Sequence, residues 1–439
     1  MSNVVTRVAP SPTGRMHIGT ARTALFNFLY ARHHSGKFIV RIEDTNPARD
    51  RPEYEQDILD NLAWLGIKAD EIHRQSEQNA KHVDAIRTLL DSGRAYVSRE
   101  PAKNDPSAEV EVIRFKNPNT TIRFTDLLHG DISVDTKDLG DFVIARSHTS
   151  PVHHLAVVVD DAEMGVTLAM RGEDLLSNTP RQILIQEALG YQRPEYAHLP
   201  LILAPDRTKL SKRRHAVSVG DYRERGYLSE ALVNFLAFLG WNPGTPQELF
   251  SMQELIDTFD IPGIQKSPAI FNEEKLRWFN REYLHKISDG EFLDEIVRRA
   301  PEWKKDTAAK LVPLMRERMS VWGDFDTVKA DFEYFFSEPV LDPAKIPGKG
   351  SDAEIAKKHL VEVGKLLRAL PSSEEMTSEQ VKDAVWGYAE KEGRGAVLWP
   401  LRYALTGRER SPDPFVVAAV VGKEACEKRL ATAIQALGN

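Results

Sequence analysis

Residues 4–44 read as a strand, a Pro/Gly loop, a helix and a second strand, and a βαβ unit at this point commits the chain to an α/β fold. VVTRVAP is the first strand. Period-two alternation puts Arg7, Ala9 and Ser11 on one face if the extended backbone persists. PSPTG is the loop. In TARTALFNFLYAR, Ala21, Ala24, Leu25, Phe28 and Leu29 fall at i, i+3, i+4, i+7 and i+8, the apolar stripe of a helix. Gly36 closes the helical region, and FIVRIED is the next strand.

Residues 52–66 and 79–92 continue as helices. From about Ala95 to Phe142 come short β-like runs, EVIRFK, TTIRFTDLL and DISVD, broken by Asn-Pro and Gly, as in an inserted β-rich module. LAVVVDD reads as a strand buried on both faces, because its apolar run is nearly unbroken. GVTLAMRGED is another strand. TPRQILIQEALG is a helix with Thr179 as N-cap, Pro180 at its first position, Gln182 completing a capping box and Gly190 as the stop. LPLILAP is a further strand, and KLSKR sits in the loop after it. Beyond Trp241 the pattern is helical almost to the end. Residues 341–352 read as an exposed linker, and 353–439 as helices broken at Pro371, Gly393 and SPDP.

A single core rarely exceeds about 250–300 residues, so a chain of 439 implies two or more domains. No run of about 18 apolar residues predicts a membrane span. The opening MSNVVTRVAPSPTG reads as a first strand and not as a signal peptide, and the expected location is the cytoplasm. Cys426 is the only cysteine, which excludes an internal disulfide and any zinc site built from several cysteines. A net charge of −7 argues against non-specific coating of nucleic acid but leaves room for a local basic surface.

Two segments carry chemistry. SPTGRMHIGT lies between a strand and a helix, where α/β folds place ligands. It is neither a P-loop nor a GxGxxG loop. Gly14 and Gly19 allow close approach to the backbone, His17 can donate to phosphate oxygens, and the helix starting near Gly19 offers free N–H groups. Read alone, it is equally a Pro/Gly turn with an exposed histidine. KLSKRR, residues 209–214, has four basic residues in six and no acid. A mobile basic loop of this kind can grip a triphosphate as charge moves; read alone, it is also an ordinary solvated charge run.

The pair together resembles the two signature motifs of class I aminoacyl-tRNA synthetases, HIGT standing for HIGH and KLSKR for KMSKS. Thr20 replaces the second histidine and Leu210 the methionine, variants found in the glutamyl branch. TRVAPSPTGRMHIGTARTALFN, FIVRIEDT, VVVDDAEMGVTLAMRGEDLLSNTPRQI, LPLILAPDRTKLSKR, KLRWFN and PLRYALTG are similar to the bacterial glutamyl-tRNA synthetases, from Val4 to about Leu437. The resemblance implies a Rossmann-type catalytic domain in two halves, 1–95 and 143–240, split by an acceptor-stem-binding insertion at 96–142. A helical stem-contact domain at 241–325 and an all-α anticodon-binding domain at 326–439 follow.

It also implies roles. Arg7 would pair the substrate's side-chain carboxylate beside Ala9 and Ser11, Glu43 would hold its ammonium group, and Arg171 would be a second arginine near the glutamate, with His153 and Val157 in the same pocket. Pro10, Thr13, Gly14, His17, Gly19, Thr20 and Asp174 would form the ATP site. Lys209, Ser211, Lys212 and Arg213 would form its mobile phosphate loop, and His17, Lys209 and Lys212 are the catalytic candidates. Without the resemblance, Arg7 and Arg171 are surface or salt-bridge residues and Glu43 a partner of Arg41 or a cap. His153 stands where the family often has tyrosine, its neighbour His154 is the alternative occupant of that place, and a neutral core histidine is the bland reading of either. The insertion YVSREPAKNDPSAEV is short and free of cysteine, so no structural zinc is expected.

The implied reaction has two steps. Glutamate's α-carboxylate, ionised at neutral pH, attacks the α-phosphorus of ATP without a general base, helped by Mg2+. A ribose hydroxyl of the tRNA's terminal adenosine then takes the glutamyl group. The partners are L-glutamate, ATP and tRNA(Glu), with tRNA(Gln) as a second candidate for a non-discriminating form, and a monomer is expected. Between Lys209 and Arg225 six basic residues face two acidic ones, a local surface for RNA. The alternatives are a glutaminyl enzyme, a shorter tRNA-modifying paralogue and a non-catalytic tRNA-binding paralogue; the helical C-terminal part and the intact motif residues argue against them.

Overall fold

The structure is a computed structural model describing residues 4–46, 48–102, 105–208, 210, 217–371 and 376–438. It divides into two units, Met1–Tyr283 and Leu284–Asn439. In the first, β1 (Val5–Val8), α1 (Ile18–His33) and β2 (Lys37–Ile42) form the expected βαβ unit, with β1 and β2 parallel. α2 (Pro52–Trp64), β3 (Glu71–Arg74) and α3 (Asn79–Asp91) come next. The β-rich stretch supplies β4 (Ala95–Ala102), β5 (Asp105–Phe115), β6 (Thr121–Asp126), β7 (Gly130–Asp135), β8 (Phe142–Ser147) and β9 (Ser150–Pro151). After α4 (His153–Glu163) come β10 (Leu168–Gly172), α5 (Thr179–Leu189), β11 (Glu195–Leu199) and β12 (Ile202–Leu203). The unit ends with α6 (Val219–Glu224), α7 (Ser229–Phe238), α8 (Met252–Thr258), β13 (Ala269–Ile270) and α9 (Glu273–Lys286), within which the division falls.

The main sheet has the order β3-β2-β1-β10-β11-β6-β7. Its first six strands pair in parallel and β7 closes on β6 as an antiparallel hairpin. All four residues of β1 are buried, as a central parallel strand covered on both faces requires. α1 packs on β1 and also meets α7 and α8. Its buried set therefore extends past the Ala21–Leu29 stripe to Phe26 and Asn27 on the opposite side.

Some sequence expectations change. LAVVVDD is not a strand but most of α4, packed against α3, α5 and β8. An unbroken apolar run fits a helix buried on nearly every side as well as it fits a buried strand, because periodicity vanishes in both. Thr179 does not cap α5. A short 3-10 turn, Glu173–Asn178, precedes the helix, and the Thr179 hydroxyl points into the interior instead; Gly190 ends the helix in the left-handed conformation as expected. The β-rich stretch 96–142 divides between two sheets. β4, β5, β8 and β9 form a separate antiparallel sheet, whereas β6 and β7 extend the main one. Ile113, Phe115, Ile122, Phe142 and Ile144 share one core with Leu155, Ala169 and Ile183, so this stretch is built into the α/β unit.

LPLILAP also divides: β11 stops at Leu199, and β12 pairs with β13 in a two-stranded sheet. The second unit is helical, with α10 (Asp289–Arg299), α11 (Lys305–Arg318), α12 (Phe325–Phe332), α13 (Ala353–Ala369), α14 (Ser378–Glu392), α15 (Arg394–Thr406), α16 (Pro414–Val421) and α17 (Lys423–Ala436). Within 353–438 breaks fall at Pro371, Gly393 and the SPDP segment, as read from the sequence, and a further one falls at Gly422, between α16 and α17. Among the described residues no helix is long and apolar enough to cross a membrane.

Candidate active site

A cleft of about 370 Å³ opens at the carboxyl ends of β1, β2 and β10, where parallel α/β sheets leave room for ligands. Arg7, Ala9 and Ser11 line it, as the period-two row predicts, and so do Val8 and Pro10, because the chain leaves the strand after Val8. His17, Gly19 and Thr20 line a second side, Glu43, His153 and Val157 a third, and Arg171 and Asp174 a fourth. Thr13 and Gly14 do not reach it; Thr13 N–H closes a turn on Ser11 O at 2.9 Å. Lys209, Ser211, Lys212 and Arg213 lie outside the described residues. The flanks of that segment are described. Leu210 lines the cleft, and Val217 O accepts the Ile18 N–H at 2.8 Å while Val219 N–H reaches Met16 O at 2.9 Å. The two motifs therefore meet at one place.

His17 is the N-cap of α1. Its Nδ1 accepts the Gly19 N–H at 2.9 Å, which leaves the proton on Nε2 and makes that nitrogen the donor. Pro10 O takes the Glu43 N–H at 2.9 Å, tying the loop to the end of β2. At the far wall, a Cβ on Gly172 would lie 2.6 Å from Asp174 Oδ1, so only glycine lets that carboxylate fold over the end of β10.

Under the cleft lies a buried ion network. Arg7 is bidentate to Asp161, with Nε and Nη2 each at 3.1 Å. Arg41 Nη1 bonds the same carboxylate at 2.6 Å, while its Nη2 lies 3.5 Å from Glu43 Oε1 and its Nε 3.7 Å from Asp160 Oδ2. Asp160 is held by His82 and Gln75, each at 2.7 Å. Burial alone would raise the Asp161 pKa; the charges of Arg7 and Arg41 outweigh it and hold the carboxyl well below its usual range. At Glu43, too, burial is overcome, by the His153 hydrogen bond and the Arg41 charge, and the group stays ionised. His153 Nδ1 lies 3.5 Å from Glu43 Oε2. Its neighbour His154 is pushed down to about 4 by burial and is neutral.

Arg171 is placed differently. Its Nε bonds His198 Nε2 at 3.1 Å and its Nη2 bonds Thr179 Oγ1 at 2.9 Å. Since His198 Nε2 must accept, Nδ1 carries the proton and donates to Asp126 Oδ2 at 2.6 Å. Asp126 in turn accepts the backbone N–H groups of Leu128 and His129, both at 2.9 Å. This relay fixes the guanidinium without neutralising it, and among the described residues no carboxylate lies within ion-pair distance of Arg171. Burial, and then the charge of Arg7, push its pKa down to about 10. Arg22, also on the cleft wall, donates to the carbonyls of Pro200 and Leu239, and burial lowers it to about 10 as well. Among the described residues neither buried cation has a carboxylate within ion-pair distance, which makes the cleft a place for an anion.

The residues that build this relay, Asp126, Thr179 and His198, and the Arg41–Asp160–Asp161 network escape a motif reading. A signal was present: two adjacent aspartates ending an apolar run must find buried cations.

The family model described as tRNA synthetases class I (E and Q), catalytic domain, matches residues 3–105 and 98–278, and that of an anticodon binding domain matches 275–434. The glutamate–tRNA ligase of Aquifex aeolicus is 40% identical, covering 100% of both chains. That of Carboxydothermus hydrogenoformans is 38% identical over 97% of this chain and 98% of its own. A crystal structure of a glutamate tRNA ligase from Elizabethkingia meningosepticum, in complex with its amino acid, superposes with a TM-score of 0.86 at 32% identity, covering 99% of both chains.

Proposed function

This chain belongs to the glutamate–tRNA ligase family of class I aminoacyl-tRNA synthetases, and on that premise we propose that its cleft joins L-glutamate to ATP as glutamyl-adenylate and passes the glutamyl group to the 3′-terminal adenosine of tRNA(Glu), releasing pyrophosphate and AMP. The observation that carries the reading is the uncompensated Arg171 guanidinium on the cleft wall, held in place by neutral partners. Arg171 takes the substrate's side-chain carboxylate. Arg7, bidentate to Asp161, orients that pocket more than it charges it. Glu43 receives the ammonium group, with His153 beside it, and Val157 covers the aliphatic stem.

The α-carboxylate attacks the α-phosphorus, and the bond to pyrophosphate breaks with its electrons on the leaving oxygen. His17 Nε2–H donates to a phosphate oxygen, and Lys209 and Lys212 grip the departing pyrophosphate. Positioning and preset charge supply the acceleration. Asp174 is an oxygen donor of the kind Mg2+ takes, and the ion would neutralise phosphate charge there. The protein acts as a cytoplasmic monomer in this reading.

Glutamate-dependent exchange of pyrophosphate into ATP in the presence of tRNA(Glu) tests it. Exchange is expected with glutamate and not with glutamine, and its absence at saturating substrates would overturn the reading. Charging of purified tRNA(Glu) and tRNA(Gln) side by side decides the tRNA range. Lys212→Ala is expected to slow adenylate formation by about 10²-fold with little loss of tRNA binding; unchanged single-turnover activation would remove Lys212 from the step.

A further inference from the structure

Arg15 sits two residues before His17, outside the cleft, and the mechanism does not use it. Its guanidinium nevertheless gathers three carboxylates from two other elements. Nε is 3.5 Å from Asp57 on α2, Nη1 bonds Asp221 on α6 at 2.9 Å, and Nη2 bonds Glu224 one turn further along α6. Asp57 Oδ2 also accepts the Met16 N–H at 2.7 Å. A Cβ on Gly220 would lie 2.9 Å from Arg15 Nη2, so the guanidinium rests against the α6 backbone itself. The same seam holds the Ile18–Val217 and Val219–Met16 backbone hydrogen bonds and the antiparallel bridge of His17 with Ser218.

A lone exposed ion pair is worth little, and Arg15 is 42% exposed. Here the charge balance matters more than any one pair. Among the described residues one cation pairs with these three carboxylates; Arg223 on the same surface is directed over the Trp64 ring, 5.7 Å from its centroid. Without Arg15, Asp57 on α2 would face Asp221 and Glu224 on α6 with no other described cation paired to them, and like charges would push α6 away from the loop that bears His17. The Glu224 hydrogen bond, together with the other two carboxylates, raises the Arg15 pKa, so the clamp stays charged at every working pH.

Resting on the reading of the cleft as an ATP site, we propose that Arg15 is a positioning residue for the adenylation step: it clamps the start of α6 to the His17 loop and so holds Ser218 and Val219 in register with His17. It touches no substrate. Glycine at 220 and the paired carboxylates on α6 are the parts of this chain that make the clamp possible.

The test uses the full-length protein, Arg15→Gln and the double variant Arg15→Gln/Glu224→Gln. Arg15→Gln is expected to raise the KM for ATP about tenfold in pyrophosphate exchange, on the scale of a coupling carried by a packed network, with kcat and the KM for glutamate within about twofold. Removing the Glu224 charge as well should restore most of the ATP affinity, which a loss of side-chain bulk would not permit. Amide hydrogen exchange at Ile18 and Val219 should quicken in Arg15→Gln, while β2 amides keep their protection. An unchanged KM for ATP, a parallel rise in the KM for glutamate, or no recovery in the double variant overturns the proposal. If the unmutated protein shows no exchange activity, the adenylation reading fails on its own account; the amide protection still decides the clamp, and unaltered protection at Ile18 and Val219 overturns it.

Discussion

Asp161→Asn is expected to destabilise the protein by about 3–5 kcal/mol at pH 7, the range for breaking a buried pair by removing one partner. Asp161 is the shared counter-ion of Arg7 and Arg41, which are 3% and 0% exposed. Asparagine keeps the shape and loses the charge, so among the described residues Arg41 keeps Glu43 and Asp160 within ion-pair distance and Arg7 keeps no carboxylate there. The loss is read as a fall in the urea midpoint with an unchanged m-value. Its pH dependence has a definite sign. The folded-state pKa of Asp161 lies below the unfolded value of about 3.9. Its contribution is therefore complete above that value and is lost as pH falls through the folded pKa. The gap between the two proteins should be constant near neutrality and narrow only below about pH 4. Equal midpoints at pH 7 would show that the network is balanced without Asp161.

The sequence made the α/β start legible because its signals were local: an apolar stripe at helical spacing, two strands and a Pro/Gly loop between them. Arg7, His17, Glu43, His153 and Arg171 could be named from motifs, and all of them do line one cleft. What stayed hidden was decided by tertiary partners. α4 passed for a strand because Leu155–Val159 are buried whichever element they form. Thr179 passed for a cap because the motif Thr-Pro-x-Gln fits one, yet the hydroxyl has a stronger use beside Arg171 and His198. β6 and β7 passed for part of a separate module because nothing in a short alternating strand says which sheet it joins; Tyr196 on β11, opposite Asp126, settles that. The same limit explains Arg7. Its side chain was rightly directed at the pocket, but its bond to Asp161, 154 residues away, shifts the unbalanced charge of the site to Arg171.

That shift makes stability and activity respond in opposite senses at Arg171. Arg171→Met is expected to leave the folded state as stable as before, or more so. Methionine has similar reach and no charge, and the cation it removes is buried with no carboxylate partner among the described residues. The groups it abandons are not orphaned: Thr179 Oγ1 and His198 Nε2 lie 3.2 Å apart and bond each other, and His198 Nδ1 keeps Asp126. Glutamate-dependent kcat/KM should fall by about 10³-fold, since a carboxylate brought into the cleft would lose the better placed of two buried cations that no described carboxylate pairs, a loss of about 4 kcal/mol. Arg171→Lys should fall between the two proteins, because an ammonium group restores charge but not the fork that bonds His198 and Thr179 together. The measurements are a thermal or urea midpoint and the glutamate dependence of exchange on the same preparations. If Arg171→Met instead lost several kcal/mol of stability while binding glutamate normally, the guanidinium would be a structural strut between β10, α5 and β11, and the anion site would have to be built on Arg22.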